Sequence, residues 1–318
     1  MAGKYKYNNL IVKKSKNLPI VLFRWIIIIG ISYVILYPIF VKIAVAFMSE
    51  SDMYDMTVKW IPNNITIENF KKVFEYVDYG AYFFQTLFIS VTSMLLQLAS
   101  CILSAYAFAR FKFKGRIFLM LCVLLTLVIP RDAYMVTTYM QYRFFDFFGL
   151  LKIFGIESIG SLINTPIPSW IMSIGCQALK NGLFIFVLFQ CFKGLPKELE
   201  EAAWVDGAGV FKTFYRIMLP NAVPAITTVS MLSFVWTWND LYMASTYMPK
   251  MKLFPMLLNT ISSTLQRASG GASAINTIEL SMLTNAAVLL IILPLIILFV
   301  FCQKLFVQGV ERSGITGM

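Results

Sequence analysis

The hydrophobic pattern of this chain consists of long uncharged runs. The apolar residues neither alternate along the chain nor follow the period of an amphipathic helix. Three runs contain no charged residue and reach the roughly 20 residues that a helix needs to cross a membrane. These runs, at positions 81–109, 221–239 and 280–303, predict membrane-spanning helices.

Three further apolar segments are shorter or interrupted. The first lies between two basic residues, the second is only about 21 Å long as a helix, and the third contains polar residues near its centre. With them the predicted number of spans is six, and we expect function where the spans are irregular. The segments cover residues 25–41, 117–130 and 167–192, and the polar interruptions of the third are Gln177, Lys180 and Asn181.

The composition supports a membrane assignment. Of 318 residues, 58% are hydrophobic and only 14% are charged. A soluble domain of this length needs more polar residues to cover its core. The predicted fold class is therefore an all-α integral membrane protein with about six transmembrane helices in residues 25–302, between tails at 1–24 and 303–318.

The distribution of basic residues predicts the orientation. The short loop 110–116 carries four basic residues, and short loops follow the positive-inside rule best. The first loop on the other side, within 48–78, holds six acidic residues. We therefore expect both termini in the cytoplasm and a multi-pass location in the cytoplasmic (inner) membrane, surrounded by lipid.

Several functions are excluded or disfavoured by what the sequence lacks. There is no histidine and no P-loop motif, so imidazole chemistry and an ATP site of its own are excluded. The five cysteines lie in apolar stretches without metal-ligand spacing, and the basic residues behind the net charge of +11 sit at span ends. We expect no catalytic residue, no metal, no directly bound cofactor and no nucleic-acid partner.

A cytoplasmic loop over residues 194–220 carries the strongest signal. Its first half has a helical face that includes Ala202 and Ala203 and is ended by Gly207. A second apolar stripe follows and is expected to end at Pro220. Two such helices are too short to span a bilayer, so the loop predicts a helix–turn–helix at the membrane surface. An amphipathic loop resting on lipid is the alternative, but it does not explain the small alanine pair.

The same loop resembles the EAA loop of binding-protein-dependent ABC importer permeases. The family pattern is Glu-Ala-Ala, three residues, Gly, nine residues, Ile, one residue, Leu-Pro, and this chain agrees at every fixed position. The resemblance implies that 201–207 forms the helix that couples to an ATPase. The residues concerned are Glu201, Ala202, Ala203, Asp206, Gly207, Ile217, Leu219 and Pro220.

Other segments are similar to the maltose-type sugar branch of that family, as in its second permease subunit. They are a Trp-x-Trp-Asn-Asp element at 236–240, a W-x-P…T-x-x-N-F pattern at 60–70, the segment 105–110 and the tail at 303–309. The stretch 143–168 departs from the family because it is longer and more irregular than usual.

The resemblance implies a set of partners. Two permease subunits pair in the membrane, which makes a heterodimer with a second permease the expectation here. Two cytoplasmic ATPase subunits dock below and hold the ATP and Mg²⁺, and an external solute-binding protein delivers a carbohydrate, with an oligosaccharide favoured. A permease for a non-sugar solute and an ion-coupled secondary transporter are the alternatives, although span carboxylates for ion coupling are scarce.

Polar and aromatic residues of the later spans are candidates for the solute pathway. Aromatic faces and amides suit sugar rings and hydroxyls, although tryptophans near a span end are often interfacial anchors. Lys180 and Asn181 either face a water-filled cavity or mark the start of the fourth helix. The candidates are Trp236, Trp238, Asn239, Asp240, Lys180 and Asn181.

Overall fold

The computed structural model describes residues 18–58, 60–146, 160–271 and 275–315. Within these ranges the chain forms helices joined by short loops, with no β-strand beyond an isolated bridge between Met48 and Ile65. The predicted all-α fold is confirmed. The α-helices are α1 Leu18–Phe47, α2 Glu50–Tyr54, α3 Glu68–Tyr76, α4 Tyr79–Arg110, α5 Arg116–Leu125, α6 Met135–Arg143, α7 Ile167–Ile174, α8 Asn181–Gly194, α9 Glu198–Val205, α10 Val210–Asn221, α11 Val223–Trp238, α12 Leu241–Tyr247, α13 Phe254–Ala268 and α14 Thr277–Ile315.

Three helices are long and apolar enough to cross a membrane. Their apolar parts are Val21–Phe47, Tyr79–Arg110 and Thr277–Lys304, and they confirm three of the predicted spans. Every residue from 21 to 40 is exposed although nearly all are apolar, as expected of a helix that is surrounded by lipid. Helix α14 continues into the predicted C-terminal tail as far as Ile315, and residues 1–17 and 316–318 lie outside the described ranges.

The span predicted over 167–192 is wrong as a single helix. It consists of α7 and α8 with a break between them, where Cys176 and Lys180 adopt positive φ angles of 55° and 62°. The hydrogen bond from the backbone N–H of Gln177 to Met172 O (2.8 Å) closes the turn after α7. Asn181 is therefore the first residue of α8, which agrees with the alternative that this residue marks the start of a helix.

The segment predicted as a span over 117–130 is also broken into short pieces. Helix α5 ends five residues before Pro130, and a 3₁₀ turn, Arg131–Tyr134, leads into α6. Of the irregular stretch 143–168, residues 147–159 lie outside the described ranges.

The run 221–239 forms α11, which is joined to α10 by a 75° bend. Helix α10 ends at Asn221, one residue after Pro220, where the sequence predicts its end. Pro220 lies in the short final turn Leu219–Asn221, and the break follows at Ala222, as expected near a proline, which interrupts helical hydrogen bonding. A π-helical turn, Phe214–Met218, precedes the bend, and such turns commonly accompany kinks.

The chain divides into two compact units, one of residues 1–77 and 262–290 and the other of 78–261 and 291–318. In the first, α1 and α3 are joined by Asn69, a buried side chain whose Nδ2 donates to Ala46 O and Met48 O, both at 2.9 Å. Lys72 of α3 forms an ion pair of 2.5 Å with Glu279 of α14.

In the second unit, α4 packs against α8 and α11. Small residues of α4, Cys101 and Ala105, are completely buried against Phe184 and Leu188 of α8. Small side chains permit the close approach of helices, which drives association in membranes. This three-helix core supports both candidate sites described below.

Candidate coupling site and solute pathway

Helix α9 carries the Glu-Ala-Ala sequence. It lies in the first half of the loop 194–220, which the sequence predicts to be helical. Its first turn contains Glu198, Glu200 and Glu201, and negative charge is favourable at the positive end of a helix. The carbonyl of Lys197 accepts hydrogen bonds from the N–H groups of Glu200 (2.9 Å) and Glu201 (3.1 Å).

Gly207 ends α9 as predicted. Its φ of +75° is in the left-handed region, which costs a residue with a side chain about 1–2 kcal/mol. Its N–H donates to Trp204 O (3.0 Å), and the next N–H, of Ala208, donates to Ala203 O (2.9 Å). This pair of bonds is the Schellman arrangement, which satisfies the last carbonyls of the helix and reverses the chain.

The predicted coupling residues divide into an exposed set and an inward set. Glu201, Ala202, Asp206 and Gly207 are exposed, as is Pro220. The inward set packs toward the core of the second unit, so the two alanines lie in opposite environments. This inward set consists of Ala203, which is 5% exposed, and the half-buried Ile217 and Leu219.

A buried ion pair fixes α9 to α4, and the sequence interpretation missed it. The guanidinium Nε of Arg110 lies 3.3 Å from Glu200 Oε2, and each side chain is only 7% exposed. The Nε atom does not have hydrogen-bonding geometry, so the contact is ionic. Tyr106 donates its hydroxyl to Glu200 Oε1 (3.0 Å), and Arg110 donates to Leu195 O (2.8 Å).

We define the coupling anchor as Tyr106, Arg110 and Glu200. Two of these residues belong to or adjoin segments that resemble the family. Arg110 is the last residue of the segment 105–110, and Glu200 directly precedes the Glu-Ala-Ala triplet.

A cleft of about 640 Å³, here called the polar cleft, lies where α5, α6, α8 and α12 meet. Lys180 and Asn181 both line it, and Asn181 is also the first residue of α8, while a role of either residue in the solute pathway stays a prediction. Its wall combines charged, amide and aromatic side chains, among them Arg131, Asp132, Tyr134, Gln141, Gln177 and Tyr242.

Arg131 is held on the wall of the polar cleft by Asp240. The two side chains form a bidentate pair with N–O distances of 3.1 and 3.0 Å, the geometry that suits guanidinium and carboxylate best. Asp240 also caps α12 by accepting from the N–H of Met243 (3.0 Å). The Arg131 guanidinium lies 4.8 Å from the centre of the Tyr242 ring. Asp240 thus positions a residue of the cleft.

Hydrogen bonds of buried side chains hold the residues of the polar cleft in place. Gln97 of α4 donates to Leu179 O (3.0 Å) and to the side-chain oxygen of Asn181, and it accepts from Ser233 of α11. These bonds satisfy polar groups that would otherwise be costly to bury. They tie the break between α7 and α8 to the helix core.

The tryptophans of the 236–240 element do not line the polar cleft. Trp238 is 1% exposed and packs among the rings of Phe83, Phe234 and Phe254, so it touches no solute in this conformation. Trp236 stacks on Phe184 with ring centres 5.3 Å apart. The burial of Trp238 conflicts with its pathway assignment, whereas Trp236 is partly exposed and its assignment stays a prediction.

Asn239 is exposed, and its Nδ2 donates to Val235 O at 2.8 Å. No group of His, Cys, Asp or Glu suited to hold a metal ion occurs within the described ranges.

Long apolar helices, and a polar cleft beside the breaks between shorter helices, are features of a membrane transport subunit. The chain belongs to the family of binding-protein-dependent transport system inner membrane components, whose family model matches residues 67–312. This membership confirms the family resemblance seen in the EAA loop.

Relatives of this chain agree with that family. It is 26% identical to the arabinooligosaccharides transport system permease protein AraQ of Halalkalibacterium halodurans, over 96% of this chain and 100% of AraQ. It is 29% identical to the alpha-glucoside transport system permease protein AglG of Rhizobium meliloti, over 80% of this chain and 62% of AglG. A chain from the crystal structure of a bacterial ABC transporter involved in alginate import has the same fold, with a TM-score of 0.70, 19% identity and coverage of 91% and 97%.

Proposed function

We propose that this chain is one of two permease subunits of an ATP-driven ABC importer for an oligosaccharide. The observation that carries the proposal is the complete EAA match on an exposed helix that a buried ion pair joins to the membrane core. The sugar assignment is supported by the names of AraQ and AglG. The second permease completes the pathway, and an external solute-binding protein delivers the sugar.

Six spans and cytoplasmic termini are part of the proposal. Helices α1, α4, α11 and α14 supply four, α5 with the turns after it supplies one, and α7 with α8 supplies one. The basic loop 110–116 and the EAA loop 194–220 then lie on the cytoplasmic face of the cell membrane, as the positive-inside rule favours. Residues 1–24 and 303–318 are the cytoplasmic tails of a membrane domain at 25–302.

The energy for transport comes from two separate ATPase subunits. They hold the ATP and Mg²⁺, because this chain has no P-loop. The exposed side chains of Glu201, Ala202 and Asp206 form the docking face, on which the small alanine permits close approach of the partner. Closure of the ATPases on ATP displaces α9 and shifts the permease between its two access states.

The displacement of α9 reaches the polar cleft through rigid helices. The coupling anchor makes α9 move with α4, and Arg110 also holds Leu195 O at the end of α8. Helix α8 is 14 residues long, about 21 Å, and its other end is Asn181 in the polar cleft. One helix therefore connects the docking loop with the pathway.

The polar cleft suits a neutral oligosaccharide. Arg131 is neutralised by Asp240, and Lys180 and Asp132 add one charge of each sign, so the charges of the cleft do not demand an acidic solute. Gln141 and Gln177 offer amide donors and acceptors for hydroxyl groups, and Tyr134 offers an aromatic face for a sugar ring. An importer of a non-sugar solute is the alternative.

Reconstitution of the purified transporter in proteoliposomes tests the proposal. The expected result is sugar uptake that requires ATP, the binding protein and the ATPase, with no ATP hydrolysis by this chain alone. ATP hydrolysis by the isolated chain, or uptake driven by an ion gradient without ATP, would contradict it. Uptake of an amino acid or peptide in place of a sugar would support the non-sugar alternative.

A further inference from the structure

A second cleft of about 600 Å³ opens where α5 begins, beside the last turns of α8. We call it the basic cleft. Its polar side carries Lys112, Arg116 and Lys193, and Phe189 lies between the last two. Arg116 and Lys193 approach the face of the Phe189 ring from 5.9 and 5.7 Å. Cations over an aromatic face are attracted to it, so the ring holds two like charges near each other.

The positive charge of the basic cleft is not balanced by the chain itself. No carboxylate lines the cleft, and within the described ranges none of its three basic side chains forms an ion pair. The first residues of α5, from Gly115 to Ile117, line the cleft as well. The start of a ten-residue helix adds the positive end of its dipole and backbone N–H groups. The cleft is thus arranged for an anion.

The other side of the basic cleft is apolar and open. Ile117, Phe118 and Leu121 are 77%, 68% and 58% exposed. Apolar residues beside a basic rim suit the acyl chains of a lipid, and free phosphate would make no use of them. A ligand that matches both sides has an anionic headgroup and a hydrocarbon tail.

We propose that the basic cleft binds an anionic phospholipid, with its phosphate among Lys112, Arg116 and Lys193 and its acyl chains along α5. The assignment to the cytoplasmic leaflet rests on the topology proposed above. Basic pockets between helices on that side bind anionic headgroups in other membrane proteins. The bound lipid joins the start of α5 to the end of α8, directly before the EAA loop 194–220.

Native mass spectrometry of the purified transporter, titrated with phosphatidylglycerol or phosphatidylcholine, tests this site. Arg116→Gln and Lys193→Gln should each weaken phosphatidylglycerol binding about fivefold. Lys114→Gln is the matched control, since it removes an equal charge from the same exposed loop outside the cleft, and it should change binding less than about twofold.

Three outcomes would overturn the proposal. Phosphatidylcholine could bind as tightly, the control could lose as much affinity as the cleft variants, or millimolar inorganic phosphate could displace the lipid. The first two mean that no specific site exists, and the third means a simple anion site. Lipid binding is measured without ATP or sugar, so a failure of uptake with intact lipid binding counts against the proposed transport function alone.

Discussion

Replacing Arg110 by methionine leaves the Glu200 carboxylate buried beside α4 without its cation. Both side chains are only 7% exposed, so solvent compensates little for the loss. Removing one partner of a buried ion pair costs about 3–5 kcal/mol, whereas replacing both partners by apolar residues of similar size is often neutral. We therefore expect Arg110→Met to release α9 from α4, and the double variant with Glu200→Met to restore the attachment.

Hydrogen exchange at the backbone amides of residues 200–208 measures this attachment directly. A loss of about 3 kcal/mol predicts local exchange faster by roughly a hundredfold in Arg110→Met, with the amides of α11 unchanged as the internal control. Uptake should fall while ATP hydrolysis continues, because the docking face on α9 is intact. The reasoning is refuted if exchange in 200–208 stays at the wild-type rate, or if the double variant exchanges as fast as the single one.

Three further predictions concern the loop, the helix packing and the topology. Gly207→Asp places a side chain at φ +75° and should reduce ATPase co-purification and uptake together at normal membrane abundance; normal uptake would contradict this. Gly182→Ala brings a methyl group within 2.7 Å of Val123 O and should cost about 1–3 kcal/mol, seen as a lower melting temperature; an unchanged temperature would contradict the close approach of α5 and α8. Thiol reagents outside intact cells should label Asp55→Cys and miss cysteines in 110–116, and the opposite labelling would reverse the topology.

Much of the coupling loop could be predicted from the sequence because its signals are local. Gly207 must adopt a left-handed backbone, and the spacing around it identifies the family. The long span at 81–109 was equally clear, since its residues are uniformly apolar. In each case the residues from which the structure could be predicted lie within one short segment of the chain.

The parts that the sequence did not reveal depend on distant contacts. Glu200 and Glu201 are adjacent and chemically identical, but a rotation of about 100° per residue sends one toward Arg110 and the other to the surface. Cys176 and Lys180 have no local reason for positive φ angles, and their turn is supported by Gln97 from another helix. An apolar pattern predicts that a tryptophan is sheltered, but it does not distinguish a pathway wall from a core.

The central claim is that α9 docks a separate ATPase through its exposed face. Cysteine cross-linking in the assembled transporter tests it with two neighbouring positions of the same residue type. Ala202 is exposed and Ala203 is 5% exposed, so Ala202→Cys should cross-link to the ATPase and Ala203→Cys should not. A transporter in which Ala202→Cys supports uptake yet forms no cross-link to the ATPase would contradict the account.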